Sequence, residues 1–348
     1  MFAQDSVLSD SSKQEISITV SEIITQDSIV SDRSNHEISI FFIKSAAPIE
    51  WTSPERLYKS TFNCYVAAAF KKNYNVIGHT IARVVSTSMP DTGFYAMSGA
   101  IQSEKVELVM GKQLGFGALG STIHGMFEPE MRIKKGIALY AKRKNIAFIK
   151  FIINDASLKR IQNFVEYFKT KNQYGYAPCE LYNGACYPAY EYEGSACSAF
   201  GMSLLDVAGV LPDESKKWMV DIKIPIDLVG GEFNQNKKIK TSSITKAKSW
   251  YEGDGVEGID YAEYKVYVPD RAFNWIENKR SDNDSIYKAI DENGIPGVVV
   301  DMTSVEVDTT APVLKKRKIS NLFVNTFSKN YIRPEILIQD VDSVEVKD

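Results

Sequence analysis

Three histidines in 348 residues leave few places for a proton-transferring imidazole: His36, His79 and His124. Cysteine is equally scarce, with Cys64, Cys179, Cys186 and Cys197. Four cysteines are too few for a disulfide-built scaffold, and one C-x6-C pair with two singletons matches no zinc spacing. No excess of one charge exists: 41 Lys and Arg stand against 44 Asp and Glu, a formal net charge of -3. That balance gives no electrostatic footprint for nucleic acid or an anionic membrane. Long apolar runs are missing too, since nothing approaches the roughly 18 residues of a membrane span. The most apolar stretch, "IAFIKFII" at Ile146–Ile153, has the length of a strand and carries Lys150.

Cofactor signatures are also lacking. "GFGALG" (Gly115–Gly120) satisfies G-x-G-x-x-G, but "STIHGMFEPE" after it is a poor helix start. No acidic residue ends a strand about 20 positions on, as a dinucleotide site requires. The segment reads as a flexible loop over a cleft. The acidic run "YEGDGVEGIDYAEY" (Tyr251–Tyr264) lacks EF-hand spacing and reads as an exposed loop. Neither a cofactor nor a metal is expected.

What is present is organised in three parts: 1–60, 61–210 and 211–348. The first contains a duplication, in which "QDSVLSDSSKQEISI" (Gln4–Ile18) recurs as "QDSIVSDRSNHEISI" (Gln26–Ile40). Each copy is a polar turn followed by alternating "EISI", which suits a short strand in a hairpin arm. His36 replaces Gln14 of the first copy, so the repeat needs no imidazole there. "MFAQDS" resembles the end of a cleavage region, from which export is expected.

The middle part carries core composition. "YNVIGHTIARVVSTS" (Tyr74–Ser88) and "FYAMSGAIQ" (Phe94–Gln102) read as a hairpin turning near Pro90, and "KVELVMG" as another strand. "GIALYAKRKNIAFIKFII" (Gly136–Ile153) reads as two more. Residues 154–172 form the clearest helix: Leu158, Ile161, Phe164, Val165 and Phe168 make one stripe, and Asp155 or Ser157 caps it. The last part mixes short strands with helices expected around 273–278 and 285–292, as an elaboration or a small second domain.

Cys197 opens a second helix, "CSAFGMSLLDVAGV", which Gly209 is placed to end. The first turn of a helix presents unpaired N–H groups and the positive end of its dipole, which favour thiolate over thiol. A nucleophile also needs a base and a group to orient that base. His79, after Gly78 in "VIGHTIARV", is the first choice. His124, in what reads as a surface turn beside Gly125 and Pro129, is the second. The hairpin register sets His79 opposite Ser98–Gln102, so Ser98 is the expected third residue, with Gln102 behind it. Cys64 reads as a core residue, and Cys179–Cys186 as a candidate disulfide if the chain is exported.

"CSAF" opening an amphipathic helix resembles the Cys-Ser-x-Phe nucleophile motif of the NlpC/P60 papain-like enzymes, and "GHTIARV" resembles their Gly-His-hydrophobic strand. The histidine precedes the cysteine here, an order similar to the circularly permuted NlpC/P60 group. That group includes the YaeF/YiiX-like and lecithin:retinol acyltransferase-like proteins. The resemblance covers roughly Val76 to Val210. It implies an α+β fold: a papain-like core with an antiparallel sheet and a nucleophile-bearing helix. It further implies a thiol hydrolase or acyltransferase acting on a peptide or acyl-containing substrate, with Cys197 as nucleophile, His79 as base and acid, and a polar third residue. The competing reading is a non-catalytic binding or structural protein on the same scaffold.

Overall fold

The computed structural model describes residues 36–71, 73, 75–86, 92–183, 187–231, 234–282, 284–315 and 325–326. The first repeat copy, most of the second, the turn near Pro90 and Cys186 lie outside the described residues. The fold is α+β with mostly antiparallel pairing.

Strand β1 (His36–Ile43) leads through helix α1 (Pro54–Lys71) to β2 (His79–Val85) and the short strands β3 (Gly93–Tyr95) and β4 (Met97–Gly99). Helix α2 (Gln102–Val106), β5 (Ser121–Phe127), α3 (Glu130–Lys142), β6 (Ile146–Ile153) and α4 (Asp155–Lys169) follow. Next come β7 (Leu181–Asn183), α5 (Cys197–Val207), β8 (Met219–Pro225), α6 (Thr241–Lys246) and β9 (Tyr261–Tyr267). Helix α7 (Pro269–Ser281), β10 (Lys288–Glu292) and β11 (Ile295–Asp301) complete the order used below.

Six strands form the main sheet, in the order β10, β11, β6, β1, β2, β3. The expected hairpin arm is therefore corrected: "HEISIFFI" is an interior strand, paired antiparallel to both β2 and β6. Its composition explains why. Every residue of β1 except Glu37 is buried, so neither face nor edge could be left to water. Strands from all three expected segments thus share one sheet.

Helices cover both faces of that sheet. Ile38, Ile40, Phe42, Ala82, Ile149 and Phe151 pack against α4, α5 and α7 through Phe164, Phe168, Phe200 and Ile276. Phe41, Ile43, Ile81 and Phe148 pack against Ile133 and Tyr140 of α3. The helix α4 stripe is buried as expected, but its cap is Asn154, whose side chain accepts the Ser157 N–H at 2.9 Å. A second apolar cluster joins the β8–β9 ribbon to α6, Leu57 and Phe116.

Several local expectations are overturned. "GIALYAK" belongs to α3, where Ile133, Gly136 and Tyr140 recur on one buried face; a short apolar run cannot distinguish strand from helix by itself. "KVELVMG" is helical, running from α2 into a single π-helical stretch, Glu107–Gly111. "GFGALG" is a 3-10 turn with Phe116 buried and Gly115 bridged to Val229, so it is part of the second cluster. Residues 285–292 end in β10, because Asn293 and Gly294 both adopt positive φ and make an Asn-Gly hairpin turn to β11.

Candidate active site

Helix α5 begins at Cys197 because Ala196 is extended and leaves the first-turn N–H groups without a side-chain cap. Donors in the first turn of a helix favour an anion at the helix start. The helix is pinned one turn later, where Phe200 meets Phe127, Phe168 and Phe164 with ring centroids 5.2–5.5 Å apart. Gly201 lets the helix lie close to β2: a Cβ there would come within 2.9 Å of Thr80 Cγ2. Between them Thr80 Oγ1 and Ser198 Oγ share a buried hydrogen bond of 2.9 Å.

His79 is the first residue of β2. Gly78 before it has φ +76, and a side chain there would press on the Ile43 carbonyl and Pro269. The turn at Gly78 brings the chain into β2 with the imidazole at the end of the sheet. Its Nε2 lies 3.1 Å from Glu128 Oε1, with both side chains only 6% exposed. The N–H is off the line to the carboxylate, so the contact is an ion pair rather than an aligned hydrogen bond.

The three groups polarise one another. Burial alone would depress the His79 pKa, but the Cys197 thiolate and the Glu128 carboxylate outweigh it and raise it to about 10. Burial alone would push the Cys197 thiol up. The charge of His79 and its hydrogen bond, with the Thr80 N–H and the Ser198 hydroxyl, carry it below the ordinary thiol value instead. Burial likewise acts to raise Glu128, and His79, Arg132 and Ser98 hold it below the usual carboxylate value. The resting state these shifts favour is a thiolate–imidazolium pair. Cys197 remains partly exposed and carries a free thiol.

Cys197 and His79 are thus brought together, and the third group beside His79 is Glu128 rather than Ser98. The expected register is met: β2 pairs β3 with Ala82 opposite Tyr95, which extrapolates to Ser98 opposite His79. The strand breaks at Ala96, however, and β4 pairs β5 with Ser98 opposite Met126. Ser98 lies near the carboxylate of Glu128, but its buried Oγ makes no aligned hydrogen bond, and the Glu128 N–H is held by the Ala96 carbonyl at 2.8 Å. Gln102 is the exposed first residue of α2. "GSTIHGMFEPE", expected as a surface turn, is largely β5, and His124 within it binds Glu104. The overlooked signal is the acidic residue before Pro129, where β5 ends and α3 begins.

Tyr182 is the second functional candidate that the sequence did not single out among its neighbours. Burial drives its phenol pKa up, as does the charge of the adjoining Cys197 thiolate, while the Cys197 main chain acts the other way. Tyr182 is therefore a neighbour of the candidate nucleophile. The other cysteines lie outside this group. Cys64 is buried in α1, bonded to the Ala47 carbonyl at 3.1 Å, and Cys179 is a free thiol.

Among the described residues no cluster of three His, Cys, Asp or Glu side chains is arranged to hold a metal, and no helix is long and apolar enough to cross a membrane. Comparison with protein-family models, curated proteins and solved structures found no match to this chain.

Proposed function

We propose that the protein is a cysteine hydrolase or acyltransferase of the permuted papain-like kind, acting on an amide or ester. The observation that carries this reading is the convergence of Cys197, His79 and Glu128 from α5, β2 and the end of β5. Nucleophile, base and orienting group stand in the order that thiol catalysis requires.

In this mechanism the Cys197 thiolate attacks the carbonyl carbon and the carbonyl π electrons move to oxygen. The Cys197 N–H and the Tyr182 hydroxyl are the donors for that oxyanion. The imidazolium of His79 then protonates the leaving nitrogen or oxygen, and the carbon–heteroatom bond breaks to give a thioester. Water or an acceptor hydroxyl or amine attacks the thioester while His79 takes its proton. Collapse releases the product and restores the thiolate–imidazolium pair. Glu128 holds the imidazole in place throughout and compensates its charge. A peptide of a bacterial cell wall and an acyl ester both satisfy this chemistry.

The test is alkylation of Cys197 by iodoacetamide across pH, followed by peptide mass, in wild type and His79→Ala. Fast modification well below the free-thiol pKa of about 8.5, lost in the variant, supports the pair. Slow modification that rises only near that value, and is the same in both proteins, sinks it in favour of a non-catalytic scaffold.

A further inference from the structure

Helix α1 has two opposite apolar faces. One is turned inward, where Leu57, Cys64 and Ala68 are buried. The other carries Phe62, Tyr65, Val66 and Phe70, which are 62%, 48%, 42% and 85% exposed. Their spacing of three and four residues sets them in one stripe along the helix. Single apolar residues on a surface need no explanation, but three aromatic rings in line on one helix do.

The near-neutral total charge conceals a local separation around this stripe. From Arg56 to Pro90 the chain has no acidic residue, and it has none from Met131 to Asn154. The structure joins these two stretches at the ends of α1 and α3. Arg143 donates to the Lys71 carbonyl at 3.0 Å and to the Asn73 side chain, and the Tyr140 hydroxyl accepts the Asn75 N–H at 2.9 Å. The stripe therefore runs out, at Phe70, into a basic corner made by Lys71, Lys142, Arg143 and Lys144. Lys142 and Lys144 are exposed, and among the described residues no carboxylate pairs with either. At the other end of the helix Glu55 is held between Lys59 and Lys248, each at 2.5 Å, so that end adds no net negative charge.

We propose that α1 is a docking ridge for an anionic lipid bilayer. Phe62, Tyr65, Val66 and Phe70 enter its interfacial layer, and Lys142 and Lys144 meet the headgroups. Aromatic side chains favour that layer, and each lysine near an anionic surface strengthens binding about fivefold. A protein partner fits less well. The four side chains offer roughly 450 Å², against about 800 Å² from each partner in a stable protein interface. Phe70 stands clear of the surface, and a fluid bilayer needs no matching cavity to receive it. The helix lies on the bilayer rather than crossing it, because its inner face belongs to the protein core. This docking does not depend on the role of Cys197.

The test is cosedimentation with vesicles of phosphatidylcholine alone and of phosphatidylcholine with about one-third phosphatidylglycerol. Wild type should bind the mixed vesicles and bind the neutral ones much less. Phe62→Ser combined with Phe70→Ser should lower binding to the mixed vesicles by roughly tenfold or more. Lys142→Gln combined with Lys144→Gln should lower it by about tenfold, and that difference should vanish at high salt. Thermal unfolding checks that each variant is folded, and Phe70→Ser alone, with an expected loss of about fivefold, serves if the double phenylalanine variant is not. Wild type that stays in the supernatant with both vesicles overturns the proposal, as does binding that the phenylalanine variants leave unchanged. A dimer in sedimentation velocity that Phe70→Ser dissociates, with no vesicle binding, assigns the ridge to a second copy of the chain instead.

Discussion

Thr80 and Ser198, each one residue after a member of the candidate pair, share a buried hydrogen bond of 2.9 Å between their hydroxyls. That bond fastens the strand bearing His79 to the helix bearing Cys197 at the point where their spacing matters. Gly201 permits the approach, and Phe200 against Phe127 ties the same helix to the strand that delivers Glu128. Three chemical groups from three elements therefore depend on one packed junction.

Replacing Gly201 should disturb that junction before it unfolds the domain. In Gly201→Leu the new side chain meets Thr80, and overpacking of this kind lowers stability by about 1–3 kcal/mol. Denaturant titration should show that loss, and alkylation of Cys197 should shift toward ordinary thiol behaviour because α5 moves off β2. A variant with wild-type stability and reactivity would mean the close approach is not needed.

The pH dependence follows from the pair. His79 has a folded pKa of about 10, above its unfolded value, so its share of stability is complete below the unfolded value and is lost as pH rises through about 10. Cys197 is depressed, so its share is present above the unfolded thiol pKa and is lost as pH falls through the folded one. The thiolate–imidazolium form accordingly occupies the window between these two folded values. Alkylation should become fast below the free-thiol pKa of about 8.5, and a rate-against-pH curve should show its upper inflection near 10, absent in His79→Ala. A single inflection at the free-thiol value in both proteins would contradict the pairing.

Glu128 and Ser98 should separate by size of effect. Glu128→Gln removes the charge that faces His79 Nε2 and loosens the imidazole, with a loss of order 10²-fold in acylation rate. Ser98→Ala removes a buried hydroxyl that makes no aligned hydrogen bond to the carboxylate, and should lower the rate by less than about tenfold. Turnover of an activated ester by the two variants checks the order. The reverse ranking would return the orienting role to Ser98.

Tyr182→Phe deletes the hydroxyl beside Cys197 while keeping the ring under Lys105. If it helps hold the oxyanion, kcat should fall by about 10²-fold with KM little changed. Iodoacetamide, whose reaction forms no oxyanion, should still modify the thiolate. Equal losses in both assays would make Tyr182 a structural support instead.

Local signals in the chain account for several pieces of the fold. The periodicity of residues 154–172 predicts a buried stripe, and Leu158, Ile161, Phe164, Val165 and Phe168 are buried. A cysteine at a helix start and a histidine after a glycine are features of short segments, so the candidate pair Cys197 and His79 stands out locally in a chain with three histidines. The hairpin register led to Ser98 by residue counting, and that register holds as far as Tyr95.

The remaining features arise from contacts between distant segments. The break at Ala96 hands residues 97–99 from one sheet to another, and no local propensity marks such a switch. Glu128 becomes the partner of His79 because β5 pairs with β4 and ends beside the imidazole, 49 positions from it in sequence (128 less 79). The repeat-derived strand His36–Ile43 enters the centre of the sheet only because β2 and β6 arrive on either side of it. Alternation shows which residues want burial, but not which neighbours will bury them. That depends on long-range pairing, whose free energy is gained only when distant strands meet.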